Sequence, residues 1–148
     1  MIQPRCAPCV VAAVLGFTTL SGGAHDAQRN DDKKPSLSLK TAPTAGFSPL
    51  KVRGTVDVRG GADDAQEFYC PAIEWEWGDD TKSTNSEDCD PYESGKSQIK
   101  RRYSMEHIFN EPGSFNVRFR LKQGNRVVAN TSAVVHVRPG LRDGGFDN

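Results

Sequence analysis

The sequence predicts an all-β domain, a sandwich of antiparallel strands, and three observations carry that prediction. Apolar residues alternate with polar ones at period two in several separate runs. Turn formers, rich in glycine, proline, asparagine and aspartate, stand between those runs. No stretch shows apolar residues at the 3.6-residue spacing of an amphipathic helix. A strand with one buried face produces the first pattern, and several such strands stack as two packed sheets.

The runs can be taken in chain order. Leu50, Val52, Val56 and Val58 point one way, while Lys51, Arg53, Thr55, Asp57 and Arg59 point the other. Ile73, Trp75 and Trp77 share a face in "AIEWEWGDD", with Glu74 and Glu76 on the reverse. Phe115, Val117, Phe119 and Leu121 alternate with Asn116, Arg118, Arg120 and Lys122, and Ala133, Val135 and Val137 with Val134, His136 and Arg138. The separators are "RGGADD", "NEPGS" and "KQGN". No internal repeat is visible, so the chain reads as one module.

The ends read differently. Residues 1–24 have a short polar start with Arg5, an apolar run from Cys6 to Leu20, and small residues Gly22 and Ala24 before His25. That is the layout of a cleaved export signal. The apolar run is broken by Pro8 and Gly16 and falls short of the about 20 residues a membrane span needs. Residues 25–36, "HDAQRNDDKKPS", read as a charged disordered linker, and residues 139–148, "PGLRDGGFDN", as a flexible glycine-rich tail. The domain is expected over 37–138, in a chain of 148 residues, which suits a single fold. The expected setting is secreted or periplasmic, with no membrane anchor in the mature form, as a monomer.

Charge and cysteines narrow the function classes. The chain carries 19 basic and 19 acidic residues and no formal net charge, so nothing attracts it to nucleic acid. Cys6 and Cys9 leave with the signal, and Cys70 and Cys89 remain. A lone pair in an oxidising compartment reads as one disulfide. Two free thiols would suit a reducing compartment, and a metal site would need further ligands at their side.

"WEWGDD" invites three functional readings. As one half-buried strand running into a turn, it places Trp75 in the core and Trp77 beneath the turn. As a sugar-stacking platform it would expose both rings and leave this strand without a core side. As a glycosidase pair, Glu74 and Glu76 would need a cleft that shields one carboxyl and raises its pKa, which neighbours on one outward strand face do not have. Arg118 and Arg120, outward on another strand, offer the two glutamates a cross-strand charge ladder instead. Of the mature histidines, His25 lies in the linker, His107 near a turn and His136 on an outward face, and no nucleophile elbow, zinc helix or phosphate loop occurs. Enzyme chemistry and cofactors are therefore not expected. Calcium remains a weak alternative, because Asp79, Asp80, Asp88 and Asp90, with Asp63, Asp64 and Glu87, supply loop oxygens, although at no defined spacing.

Four motifs in order resemble the polycystic kidney disease (PKD) repeat, an immunoglobulin-like domain. "WEWGDD" supplies Trp75, Trp77, Gly78 and Asp79. "HIF" supplies His107 and Phe109. "EPGSFNVRFRL" supplies Pro112, Gly113 and Phe115, and "APTAGFSPLKVRGTV" is similar to the family's opening segment. The resemblance covers about Ser36 to Arg138 and implies an immunoglobulin-like sandwich of about seven strands. It also implies a non-catalytic extracellular module that makes protein–protein or protein–carbohydrate contacts through its loops or a sheet face. A carbohydrate-binding module using exposed Trp75 and Trp77 is the alternative, and a small secreted hydrolase the third. The partner, a protein or a polysaccharide, is unknown. Three departures stand out. Asp80 replaces a glycine. Phe109 and Phe115 replace tyrosines. The connection from Gly78 to His107 is long and contains "TKSTNSEDCDPYESGKSQ", which looks unstructured and would be pinned by a Cys70–Cys89 bridge.

Overall fold

The computed structural model describes residues 34–140. The proposed signal at 1–24, most of the linker and most of the tail lie outside the described residues. Among the described residues eight strands form, several of them where alternation and turn signals place them. They are β1 (Ser36–Ala42), β2 (Ala45–Phe47), β3 (Leu50–Arg59), β4 (Ala72–Glu76), β5 (Lys82–Asn85), β6 (Arg102–Phe109), β7 (Gly113–Gln123) and β8 (Arg126–Arg138). A single 3₁₀ turn, Gln66–Phe68, interrupts the link from β3 to β4.

Two sheets result, β1-β3-β6 and β2-β8-β7-β4-β5. The architecture is the expected all-β sandwich, with two differences of detail. There are eight strands rather than about seven, and β2 pairs with β8 in parallel while the other pairings are antiparallel. Both follow from two prolines. Pro43 and Pro49 lack the backbone donor that a continuing ladder needs, so the run from Ser36 breaks into pieces. The middle piece, β2, crosses to the other sheet and lies beside β8.

The core fills the space between the sheets with the residues that the alternation marks as inward. Val52, Val56, Trp75, Val117, Phe119 and Val135 have no exposed surface. Gly54 fits this scheme for a steric reason. It occupies an inward position of β3 opposite Trp75, where an added Cβ would lie 2.5 Å from ring atom Cζ3. The missing side chain on one sheet is the room for the indole on the other.

Candidate binding surface

The tryptophans come first, because their position decides between readings. Trp75 and Trp77 are both fully buried. Their rings stack at 5.3 Å, and His107 stacks on the far side of Trp77 at 4.5 Å. Trp77 Nε1 donates to Ser83 Oγ at 3.2 Å, and its backbone N–H donates to Thr81 O. The carbohydrate module with exposed Trp75 and Trp77 is therefore corrected: β4 and the turn after it spend their apolar side on the core, and these rings have no face left for a sugar.

The rest of the motif closes this end of the sandwich. Gly78, at φ +87°, turns the chain where a Cβ would meet the Asn116 backbone nitrogen at 2.9 Å. Asp79 then reaches across the sheets. Its Oδ2 lies 2.6 Å from His107 Nε2, and its Oδ1 accepts from the Thr81 hydroxyl and backbone N–H at 2.5 and 3.2 Å. Partial burial works against the Asp79 carboxylate, but the Thr81 and His107 contacts outweigh it and hold its pKa below the ordinary value. Asp80 stands where glycine is usual and takes the left-handed conformation itself, at φ +65°. Phe109 and Phe115 stack at 4.5 Å, so apolar packing braces the corner without a phenol hydroxyl. Pro112 immediately precedes β7, and Gly113 is its first residue.

Glu74 and Glu76 pair with the expected arginines. The register sets Glu74 opposite Arg120 and Glu76 opposite Arg118. Glu74 accepts from Arg120 at 2.5 Å and from Lys122 at 2.7 Å. Arg120 also lies 2.9 Å from Glu76 Oε2, as a charge contact rather than an aligned hydrogen bond. Lys122, then Arg120, hold the Glu74 carboxyl below its usual range. A general acid needs the opposite direction, so Glu74 is arranged as a rung of a charge ladder and not as a general acid.

The other end of the sandwich carries the exposed surface with the most construction. Cys70 and Cys89 are bridged, with their Cα atoms 6.2 Å apart. The connection they pin is not the unstructured insert the composition suggests. It begins with β5 on the edge of β4, and the remainder is sewn to the β3–β4 link by long-range bonds. Ile99 N–H donates to Asp63 O at 2.7 Å, the Tyr92 hydroxyl to Asp64 O at 2.7 Å, and Gly95 N–H to Asp64 Oδ2 at 2.9 Å. Arg101 donates to Gly60 O at 2.6 Å and to Gly61 O at 3.2 Å, and it pairs with Asp63 at 2.6 Å. Tyr69 meets Tyr92 edge to face at 5.6 Å, and Phe68 and Ile99 are buried beneath. The β7–β8 hairpin joins through Gln123 Nε2 to Tyr69 O at 2.6 Å and Arg126 to Glu67 at 3.0 Å.

Beneath the bridge lies a cavity of about 70 Å³, lined among others by Ile73, Asn85, Cys89, Lys100 and Tyr103. The Tyr103 hydroxyl has no hydrogen-bond partner among the described residues. Burial, with the Glu87 carboxylate adding to it, pushes this phenol up to about 12. Lys100 pairs with Glu87 and sits over the Tyr103 ring, 5.5 Å from its centre. Tyr103 and Ile99 were not singled out from the sequence. Period two in "RYSMEHIF" marks the first as inward, whereas no local pattern marks an isolated isoleucine in a polar connection.

The calcium candidates are not brought together. Asp79 and Asp80 precede β5 while Asp88 and Asp90 follow it, and among the described residues no three His, Cys, Asp or Glu cluster as a metal site. No helix among the described residues is long and apolar enough to cross a membrane.

No protein-family profile matches the chain, and no curated protein does. Two solved structures of similar fold are a PKD domain of an M14-like peptidase from a Thermoplasmatales archaeon and Spo0M, a sporulation control protein from Bacillus subtilis. The first shares 15% identity over 70% of this chain and 96% of its own, with a TM-score of 0.48. The second shares 17% identity over 70% of this chain and 49% of its own, with a TM-score of 0.40. The first is a PKD domain, the family that the sequence motifs resemble. The sandwich itself rests on the two sheets described above.

Proposed function

We propose that the chain is an exported, non-catalytic sandwich module, secreted or periplasmic, that binds a protein or polysaccharide through the disulfide-knit end. One observation carries this reading. Two connections and a hairpin are tied into a single exposed surface by a bridge and several long-range hydrogen bonds, more than the core requires. A surface ordered in advance does not have to be ordered on binding, which removes part of the entropic cost of association. The strand carboxylates are engaged in ladders, which leaves them no acid–base role. The disulfide and the amino-terminal pattern support export.

The mature chain immobilised on resin tests this in its native extracellular fluid. A retained partner should be displaced by free mature chain and should bind the Cys70→Ser, Cys89→Ser variant more weakly. Equal retention by a folded variant would remove the knit end as the binding surface. Any hydrolytic turnover abolished by Glu76→Gln would overturn the non-catalytic reading.

A further inference from the structure

The two sheets are unequal, three strands against five, and the mismatch leaves a strand-wide slot on one flank. Across the core, β1 lies against β8, and β6 lies toward β4, where His107 stacks on Trp77 at 4.5 Å. β6 is the last strand of its sheet, while the other sheet continues past β4 to β5. β5 therefore has no strand facing it among the described residues. The slot beside β6 and over β5 is closed at one end by the His107–Asp79 contact and at the other by the bridged connection.

The free edge of β6 can be resolved residue by residue. Val58 N–H donates to Arg101 O, one step beyond Asp57 and Arg102, the last pair of the β3–β6 register, and that step sets Val58 opposite Arg101. Antiparallel pairs alternate between bonded and non-bonded. The bonded pairs are then Val56 with Tyr103, Gly54 with Met105 and Val52 with His107. Arg102, Ser104, Glu106 and Ile108 consequently turn their N–H and C=O groups away from β3, toward the slot. No backbone or side-chain hydrogen bond reaches these groups among the described residues. The strand is eight residues long and contains no proline to protect the edge.

Resting on the reading of the chain as a binding module, the geometry points to this slot as a docking site for an extended segment of a partner polypeptide. The segment adds to β6 as a fourth strand of its sheet. Unpaired backbone donors and acceptors at strand spacing are complementary to another backbone, which a sugar polymer does not supply. Alternate side chains of the added strand point inward over β5, where Met105 and His107 are only half-buried. At the bridged end one of them meets the cavity lined by Ile73, Asn85 and Tyr103. A volume of about 70 Å³ there takes a small apolar side chain. The Tyr103 hydroxyl, buried and unpartnered, donates to an acceptor carried by the segment.

A phage-displayed random peptide library, selected on the mature chain, is the probe. The expected peptides alternate small apolar residues with polar ones, and on binding they slow hydrogen exchange at the Ser104 and Glu106 amides. Their affinity should fall about tenfold on Ser104→Pro, which removes one outward donor and leaves the β3 ladder intact, and should also weaken on Tyr103→Phe. If Ser104→Pro does not fold, the exchange pattern of the unaltered chain decides alone. Enriched peptides that protect only amides of the knit end would overturn the slot while leaving the module reading in place. Failure to enrich any peptide would overturn it too. So would a concentration-dependent dimer dissolved by Ser104→Pro, since a second copy would then be the occupant.

Discussion

The two ends of the sandwich are held by different physics. At the tryptophan end, Trp75, Trp77 and His107 form one continuous stack, and a short turn through Gly78 and Asp79 finishes it. At the bridged end, two connections are held by a disulfide, tyrosine hydroxyls and an arginine that caps backbone carbonyls. The first end is part of the core and cannot be loosened without unfolding. The second lies over the core and adds to it. A module can vary the exposed positions of the second, above buried Phe68 and Ile99, while the first keeps the fold.

Substitutions at the two ends should sharpen that contrast. Trp75→Ala should have the largest effect, about 3 to 5 kcal/mol, enough to unfold most of the population. Thermal melting by circular dichroism checks it, and an unchanged melting temperature would contradict a core role for the ring. Cys70→Ser with Cys89→Ser should cost about 3 kcal/mol in the chain-entropy model, for a bridge spanning 19 positions. The far end should not register it: the melting temperature falls, while tryptophan emission at room temperature stays that of buried rings. Intact mass after alkylation without reductant should show no modified thiol in the freshly isolated protein.

Acid should weaken the Asp79 contact at the tryptophan end. The folded pKa of Asp79 lies below its ordinary 3.8. Its contribution is therefore fully present above that value and is lost as pH falls through the lower folded one. Glu74, depressed from 4.5, adds loss in the same direction. Denaturant midpoints should stay level down to roughly pH 5 and then decline, and Asp79→Asn should flatten the decline. A midpoint that rises on acidification would reverse the assigned sign. Smallest of all, Glu76→Gln should change stability by less than about 1 kcal/mol, as expected for partly exposed ion pairs. Salt titration of the melting temperature should erase most of that change.

Legibility in the sequence follows the same division. Strand faces, the burial of Trp75 and the outward placing of Glu74, Glu76, Arg118 and Arg120 are written in period-two alternation, which is a local property. The Cys70–Cys89 bridge was readable because the sequence holds only two cysteines outside the proposed export signal. By contrast, β5 has the composition of a loop, "KSTN", and is a strand only because β4 offers it an edge. Ile99, Tyr92 and Arg101 find partners in the β3–β4 link at separations that no local rule encodes. Gly54 interrupts the apolar face of β3, and the reason lies in the other sheet, in the Trp75 ring.

The chain enters and leaves this sandwich at opposite ends. Lys34, just before β1, pairs with Glu67 at the bridged end, whereas Gly140, just after β8, donates to Ser48 near the other. Tension applied between those points would run along the strand axes. It would load all rungs of the seven-residue β1 and of the long β8 ladder in parallel, as shear, instead of opening them one at a time. The bridge, inside the fold and off that line of pull, would bear little of the load. Pulled between those points, this topology would resist by shear.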